Sequence, residues 1–338
     1  MKRWLCAICA GLLLLACCGC KGETNTAPAD YASGNRPNGG AIIATGEADG
    51  SLYVSMGGGL YKMSADLQDK RLLAPVSMAI DLNLYGDWIY CWARKDEEYG
   101  IFRIKTDGSS YEFLFWGEYP LIHEDKLYYI CTDERHGTTN VYVQPLSSLT
   151  NDPLTGTCLV EGEDMDRFQI YENQLYVCGY TEQDPLYAHY YKYDLDGTYL
   201  EDLGKRMMEG DYQVYQGDVY ATERQNQYYV TPDEGFAIFW HWYRSNGEGK
   251  MEMVGDEHYG SEVYNIYKDE IYFLRHAMTA NGLCTTLEKC DLTGQNMEVM
   301  ETLPSTNEGV RTIYVLNDII YIYNTSTREV LNMYPLEQ

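Results

Sequence analysis

The side chains able to do chemistry are numerous but scattered. Carboxylates run together at Asp96-Glu97-Glu98, between Glu161 and Asp166, and at Asp194 with Asp196. Two carboxylates at a set separation would suit glycoside hydrolysis, and sequence alone fixes no such separation. A calcium loop needs alternating acidic ligands, a glycine and a closing glutamate. Asp194-Leu195-Asp196-Gly197 holds only a fragment of that pattern and reads better as a hairpin turn. The 6 histidines fall in different segments, and no nucleophile elbow, HExxH helix, P-loop or GxGxxG turn is present. No catalytic residue, cofactor or metal is therefore assigned. The least ordinary stretch is Phe239-Trp240-His241-Trp242-Tyr243-Arg244. Exposed Trp and Tyr stack on sugar rings or anchor a peptide, so Trp240, His241, Trp242 and Tyr243, together with Arg224, are the candidate ligand-binding residues. Burial in the most apolar strand is the competing reading, and the stronger one.

The elements that must position such residues begin after an address. Met1-Lys2-Arg3 is a short basic start, and Trp4 to Ala16 carries no charge. That run is short for a membrane span and has the length of a signal peptide's apolar region. It ends in LLLLACCGCKG, which resembles the bacterial lipobox, where a small residue precedes the cysteine that takes a lipid. Cys17, with Leu14 and Ala16 upstream, is the expected lipidation site and Cys20 the alternative. Residues 1–20 are thus read as signal peptide and lipobox, and 21–40, rich in Ala, Asn, Gly, Pro and Thr, as a flexible tether. Each lipid chain gains about 0.8 kcal/mol per buried CH₂, enough for stable anchoring when chains are combined. The expected place is the outer face of the bacterial cytoplasmic membrane. A chain of 338 residues with 51 acidic and 25 basic side chains, net charge −26, lacks the clustered cations that nucleic acid requires. It favours a neutral or basic partner.

Beyond the address, Cys91, Cys131, Cys158, Cys178, Cys284 and Cys290 show no CxxC pair and no histidine at finger spacing, so a zinc site is not expected. Cys284 and Cys290 read as one strand, which places them about 20 Å apart, beyond disulfide reach.

Residues 41–338 repeat. A short alternating strand, a polar two-residue turn and an apolar strand carrying Tyr recur, with the tyrosines at 53, 90, 128, 176, 220, 272 and 321. A third strand follows, and in several units a turn such as Thr106-Asp107-Gly108 or Asp291-Leu292-Thr293-Gly294 leads into a fourth. Four antiparallel strands in about 45 residues are one blade of a β-propeller. The middle strands are apolar on both parities: Trp88, Tyr90 and Trp92 against Ile89 and Cys91, and Phe236, Ile238, Trp240 and Trp242 against Ala237, Phe239, His241 and Tyr243. A sandwich would leave one face of each sheet wet, whereas sheets ringed around an axis are packed on both. The fold expected is all-β, a propeller of seven four-stranded blades, with six or eight as alternatives. Unit one lacks an Asp-Gly turn, unit five is irregular between Gln225 and Gly249, and unit seven stops after three strands.

Gly86-Asp87-Trp88-Ile89-Tyr90 followed by Phe102-Arg103-Ile104-Lys105-Thr106-Asp107-Gly108 resembles the low-density-lipoprotein-receptor-type β-propeller domain of unknown function, common in lipoproteins and wall proteins of Gram-positive anaerobes. The resemblance implies a fold and brings no catalytic residues with it. The function expected is a non-enzymatic surface module that binds or scaffolds a protein, peptide or glycan. A polysaccharide hydrolase or lyase with carboxylates gathered on the axis is the alternative.

Overall fold

The computed structural model describes residues 42–45, 50–162, 164–207, 212–224, 229–231, 235–237, 240–255, 263–279, 282–303 and 311–336, some of them by backbone alone. Cys17, Cys20, the signal segment and the tether lie outside the described residues. Seven antiparallel sheets follow one another along the chain, over 43–74, 78–115, 118–160, 164–207, 212–254, 264–303 and 311–335. The first six have four strands and the seventh has three. We number them as blades 1 to 7 of a β-propeller. Among the described residues the only helical pieces are two single 3₁₀ turns, Leu146–Ser148 and Pro153–Thr155.

Local sequence sets each blade. The turns joining first and second strands include Glu172-Asn173, Lys268-Asp269 and Asn317-Asp318, each with both residues at positive φ, the conformation that matches the twist of a two-residue hairpin. The first strand of a blade is the innermost and most buried. Arg311–Leu316 is buried throughout, whereas the last strand of the same blade, Glu329–Pro335, is mostly exposed.

Cohesion comes from between the blades. Seven apolar clusters are present, and each draws its residues from two neighbouring blades. Tyr90 faces blade 3 while Ile89 and Cys91, its neighbours in the same strand, face blade 1. The seven repeated tyrosines are all buried and each packs towards the following blade. At roughly 1.5–3 kcal/mol for each large apolar side chain removed from water, these interfaces are the main stabilising term.

A second device links the inner strands. Directly opposite the repeated tyrosine, blades 2, 4, 5 and 6 carry Asn83, Gln169, Gln213 and Asn265. Each amide spans the gap to the next blade and bonds its backbone twice. Asn83 Nδ2 donates to Pro120 O (2.8 Å) and its Oδ1 accepts from Ile122 N (3.1 Å). Gln169 bonds Tyr212 O and Val214 N (2.9 and 2.8 Å), Gln213 bonds Ile266 O and Ile266 N (3.3 and 2.8 Å), and Asn265 bonds Ile313 O and Val315 N (2.9 and 3.4 Å). Inner strands of adjacent blades splay too far apart to form a ladder, and a side-chain amide supplies the donor and acceptor that their buried backbones would otherwise lack.

The ring closes without a shared strand among the described residues. Ile43, Leu52, Val54 and Met56 of blade 1 pack on Tyr314, Leu316, Tyr321 and Tyr323 of blade 7. Tyr323 Oη donates to Ser55 O at 2.9 Å, Gly57 N to Arg328 O at 3.3 Å, and the Arg328 guanidinium to Ser77 O.

One expectation is corrected. The run from Phe236 to Tyr243 is not a single strand: Gly235–Ala237 pairs with Tyr229–Thr231 in a separate ribbon, and Trp240–Ser245 pairs with Asp218–Arg224 inside blade 5. The ladder ending at Arg224↔Trp240 and the one holding Tyr229↔Ala237 differ in register, so one unbroken strand cannot serve both. Residues 238–239 lie outside those described.

Candidate functional site: the axial mouth

Successive strands of a blade alternate in direction. The starts of the inner strands, the hairpin loops between second and third strands, and the connectors between blades therefore share one face. On that face three consecutive inner strands bulge near their starts. Register shifts fall between Ile80 and Asn83 in blade 2, opposite Tyr128 to Ile130 in blade 3, and between Met165 and Arg167 in blade 4. A bulge leaves an extra residue unpaired and re-aims the side chains beside it. Asp81 and Tyr119 sit in these bulges at φ +54° and +50°, a region costly for a bulky non-glycine residue and concentrated at functional sites. Asp81, Tyr119 and Arg167 occupy the same position in their blades, two residues before Asn83, Leu121 and Gln169.

These residues converge. Arg167 Nε donates to Asp166 Oδ2 at 2.7 Å, and the guanidinium lies 5.9 Å from the centre of the Tyr119 ring. Burial works against the charge on Arg167, but Asp166 and the other groups around it more than offset that and raise it above its ordinary value. Its charge also opposes the raising effect of burial on Tyr264 in blade 6. Burial, with a smaller push from nearby carboxylates, raises the Tyr119 hydroxyl to about 12. Glu118 keeps a path to solvent but is crowded by protein. That crowding, with the Asp166 and Asp81 charges, pushes its carboxyl above the usual glutamate range. Asp81 is only 2% exposed. The mouth thus gathers three carboxylates, a guanidinium and a phenol from blades 2, 3 and 4, with Asp81 buried beneath and Glu118 exposed. It can accept hydrogen bonds from hydroxyls and pair with an ammonium group, while Arg167 is held by Asp166. Among the described residues no group of His, Cys, Asp and Glu could hold a metal ion.

The sequence-derived candidates lie elsewhere. Trp242 is 1% exposed, in edge contact with Phe273 at 4.9 Å and tilted against Tyr264 at 6.2 Å, inside the interface of blades 5 and 6. Trp240 and His241 are buried and Tyr243 is half-buried, with the Arg206 guanidinium 3.8 Å from the centre of its ring. Arg224 ends its strand opposite Trp240; its side chain lies outside the described part. Sequence reasoning missed the mouth because a bulge is a matter of register. The one available signal was an amide standing in otherwise apolar inner strands, with Asp81 and Arg167 two residues before Asn83 and Gln169; blade 3, where Leu121 takes that place, carries no such mark.

No protein-family profile and no curated protein sequence matches the chain. Solved structures do match its shape. Hydrazine synthase of Kuenenia stuttgartiensis aligns with a TM-score of 0.56 over 89% of this chain and 97% of that one, at 12% identity. The polysaccharide lyase Uly1 aligns at 0.55 over 88% and 90%, at 8% identity. A puromycin-hydrolysing peptidase of Mycobacterium tuberculosis aligns at 0.53 over 83% of this chain but 50% of that one, at 12% identity. At such identities the likeness carries a fold and nothing finer, and that fold is the all-β, seven-bladed propeller.

Proposed function

We propose that the chain is a non-enzymatic binding or scaffold module, a propeller of the low-density-lipoprotein-receptor-like type. A lipid on Cys17, or alternatively Cys20, holds it to the outer face of the bacterial cytoplasmic membrane. A neutral or basic protein, peptide or glycan docks at the axial mouth. The observation that carries this reading is the run of bulges in blades 2, 3 and 4, which brings Asp81, Tyr119 and Arg167 to the same position at the start of three neighbouring inner strands, the first two at positive φ. A preformed polar set on a rigid wheel loses little freedom on binding. The basic start, the uncharged run to Ala16 and the cysteines that follow support the anchor.

Two experiments test it. Labelling cells with an alkyne fatty acid should mark the wild-type chain, and Cys17→Ala should lose both label and membrane partitioning. A labelled Cys17→Ala with an unlabelled Cys20→Ala moves the lipid to Cys20, and no label in wild type removes the anchor. Calorimetric titration of the full-length protein in detergent should find a ligand whose affinity falls in Arg167→Ala, with no turnover. Steady turnover would overturn the non-enzymatic reading. Glu118 favours that second reading, a polysaccharide hydrolase or lyase, because a carboxyl raised by burial and by neighbouring acids suits a general acid. Loss of such turnover in Glu118→Gln would establish it.

A further inference from the structure

Just outside the mouth stands an aromatic pair that cohesion does not explain. Trp116 is 49% exposed and Tyr99 47%, on the same face as the mouth. Their rings meet at 88° with centroids 4.2 Å apart, and Phe113 stands at 79° to the same indole, 5.9 Å away. Both neighbours abut Trp116 nearly at right angles, and among the described residues no ring lies flat against it. The backbone that carries the indole is also packed closely. Gly100 has φ +141°, and a Cβ there would come within 2.5 Å of Phe115 O and 3.1 Å of Trp116 Cα, so the glycine lets the end of the outer strand close against it. Trp116 and Gly117 are the whole connector from blade 2 to blade 3, and Glu118 and Tyr119 of the mouth follow immediately. Platform and mouth are therefore at most about 10 Å apart along the backbone, close enough for one short oligosaccharide to touch both.

We propose that the Tyr99–Trp116 platform and the axial mouth are two subsites for one extended, non-anionic oligosaccharide. This rests on the mouth being a binding site, as argued above, and names the ligand class. A half-exposed, preoriented indole fits a ligand with a flat apolar face. The acceptors a few residues away fit a ligand whose rim carries hydroxyls, and a pyranose has both. Asp81, Glu118 and Asp166 outnumber Arg167, on a chain of net charge −26. Uronate or sulfate groups are repelled, and neutral or amine-bearing sugars are accepted.

The test titrates the full-length protein in detergent with oligomers of N-acetylglucosamine, glucosamine and galacturonate, following tryptophan fluorescence and heat. The first two should bind and perturb the emission, with the glucosamine oligomer weakened by salt, and galacturonate should not bind. Trp116→Ala should lose roughly tenfold in affinity, the scale of an interface anchor, and Tyr99→Ala should lose less, both with unchanged melting. Full affinity in both variants, or a preference for galacturonate, overturns the proposal. So does binding of a lysine-rich peptide with no sugar bound, which leaves the binding module standing. Cleavage of a bound oligomer supports the two subsites while sinking the non-enzymatic reading, so the two failures are told apart.

Discussion

The interface of blades 5 and 6 and the top of blades 2 and 3 are both rich in aromatic side chains, and they use them for opposite ends. In the first, Trp242 is enclosed by Tyr264 and Phe273, and Gln213 bonds the inner strand of blade 6. In the second, Trp116 and Tyr99 remain half in solvent beside a polar mouth. Residue type does not separate them. Place in the blade does: Trp242 lies in a third strand, gripped from the neighbouring sheet, while Trp116 lies in a connector that leaves one sheet for the next. Density of aromatics along the sequence is similar in the two regions, and burial separates them: Trp242 is 1% exposed and Trp116 49%.

Substitutions can break that contrast. The largest effect is expected at Trp242→Ala, which should cost about 3–5 kcal/mol in a denaturant melt. A loss like that of an exposed residue would mean the blade 5–6 contact is not the structural one. Next, Gln213→Ala leaves buried groups at Ile266 without their partners and should cost about 2 kcal/mol, read by the same melt.

Glu118→Gln sharpens the difference through pH. A carboxyl whose folded value is raised costs stability while ionised, a penalty absent below its unfolded value and present once pH passes the raised one. The variant should therefore melt higher than wild type at neutral pH, and the gain should vanish as pH falls below 4.5, the ordinary glutamate value. A gain independent of pH would detach Glu118 from its acidic neighbours. The smallest effect belongs to Trp116→Ala, within about 0.5 kcal/mol of wild type, with its consequence confined to ligand affinity.

Much of the wheel is legible in the chain. The hairpin signals at Glu172-Asn173 and Asn317-Asp318, and the tyrosines after them, mark the blades because turn chemistry and alternation are local. Apolar residues on both parities, as at Ile89 and Tyr90, announce two-sided packing. What is not legible depends on register. The bulges at Asp81 and Tyr119 arise from how one strand is laid against another, and a residue count cannot reveal them. The same cause splits the run around Phe236. Trp240 to Tyr243 drew notice as a site for their type, and type cannot say which side of an interface a ring will meet.

The amide bonds between inner strands have a direction. Asn83, Gln169, Gln213 and Asn265 each reach forward, from an earlier blade to the next one in the chain, and Tyr323 of the last reaches Ser55 of the first. Blades 2, 4, 5 and 6 thus each present a waiting donor and acceptor, a template onto which the inner strand of the next blade can dock. The order of docking is thereby written into the inner strands, and the bond from Tyr323 to Ser55 fastens the circle.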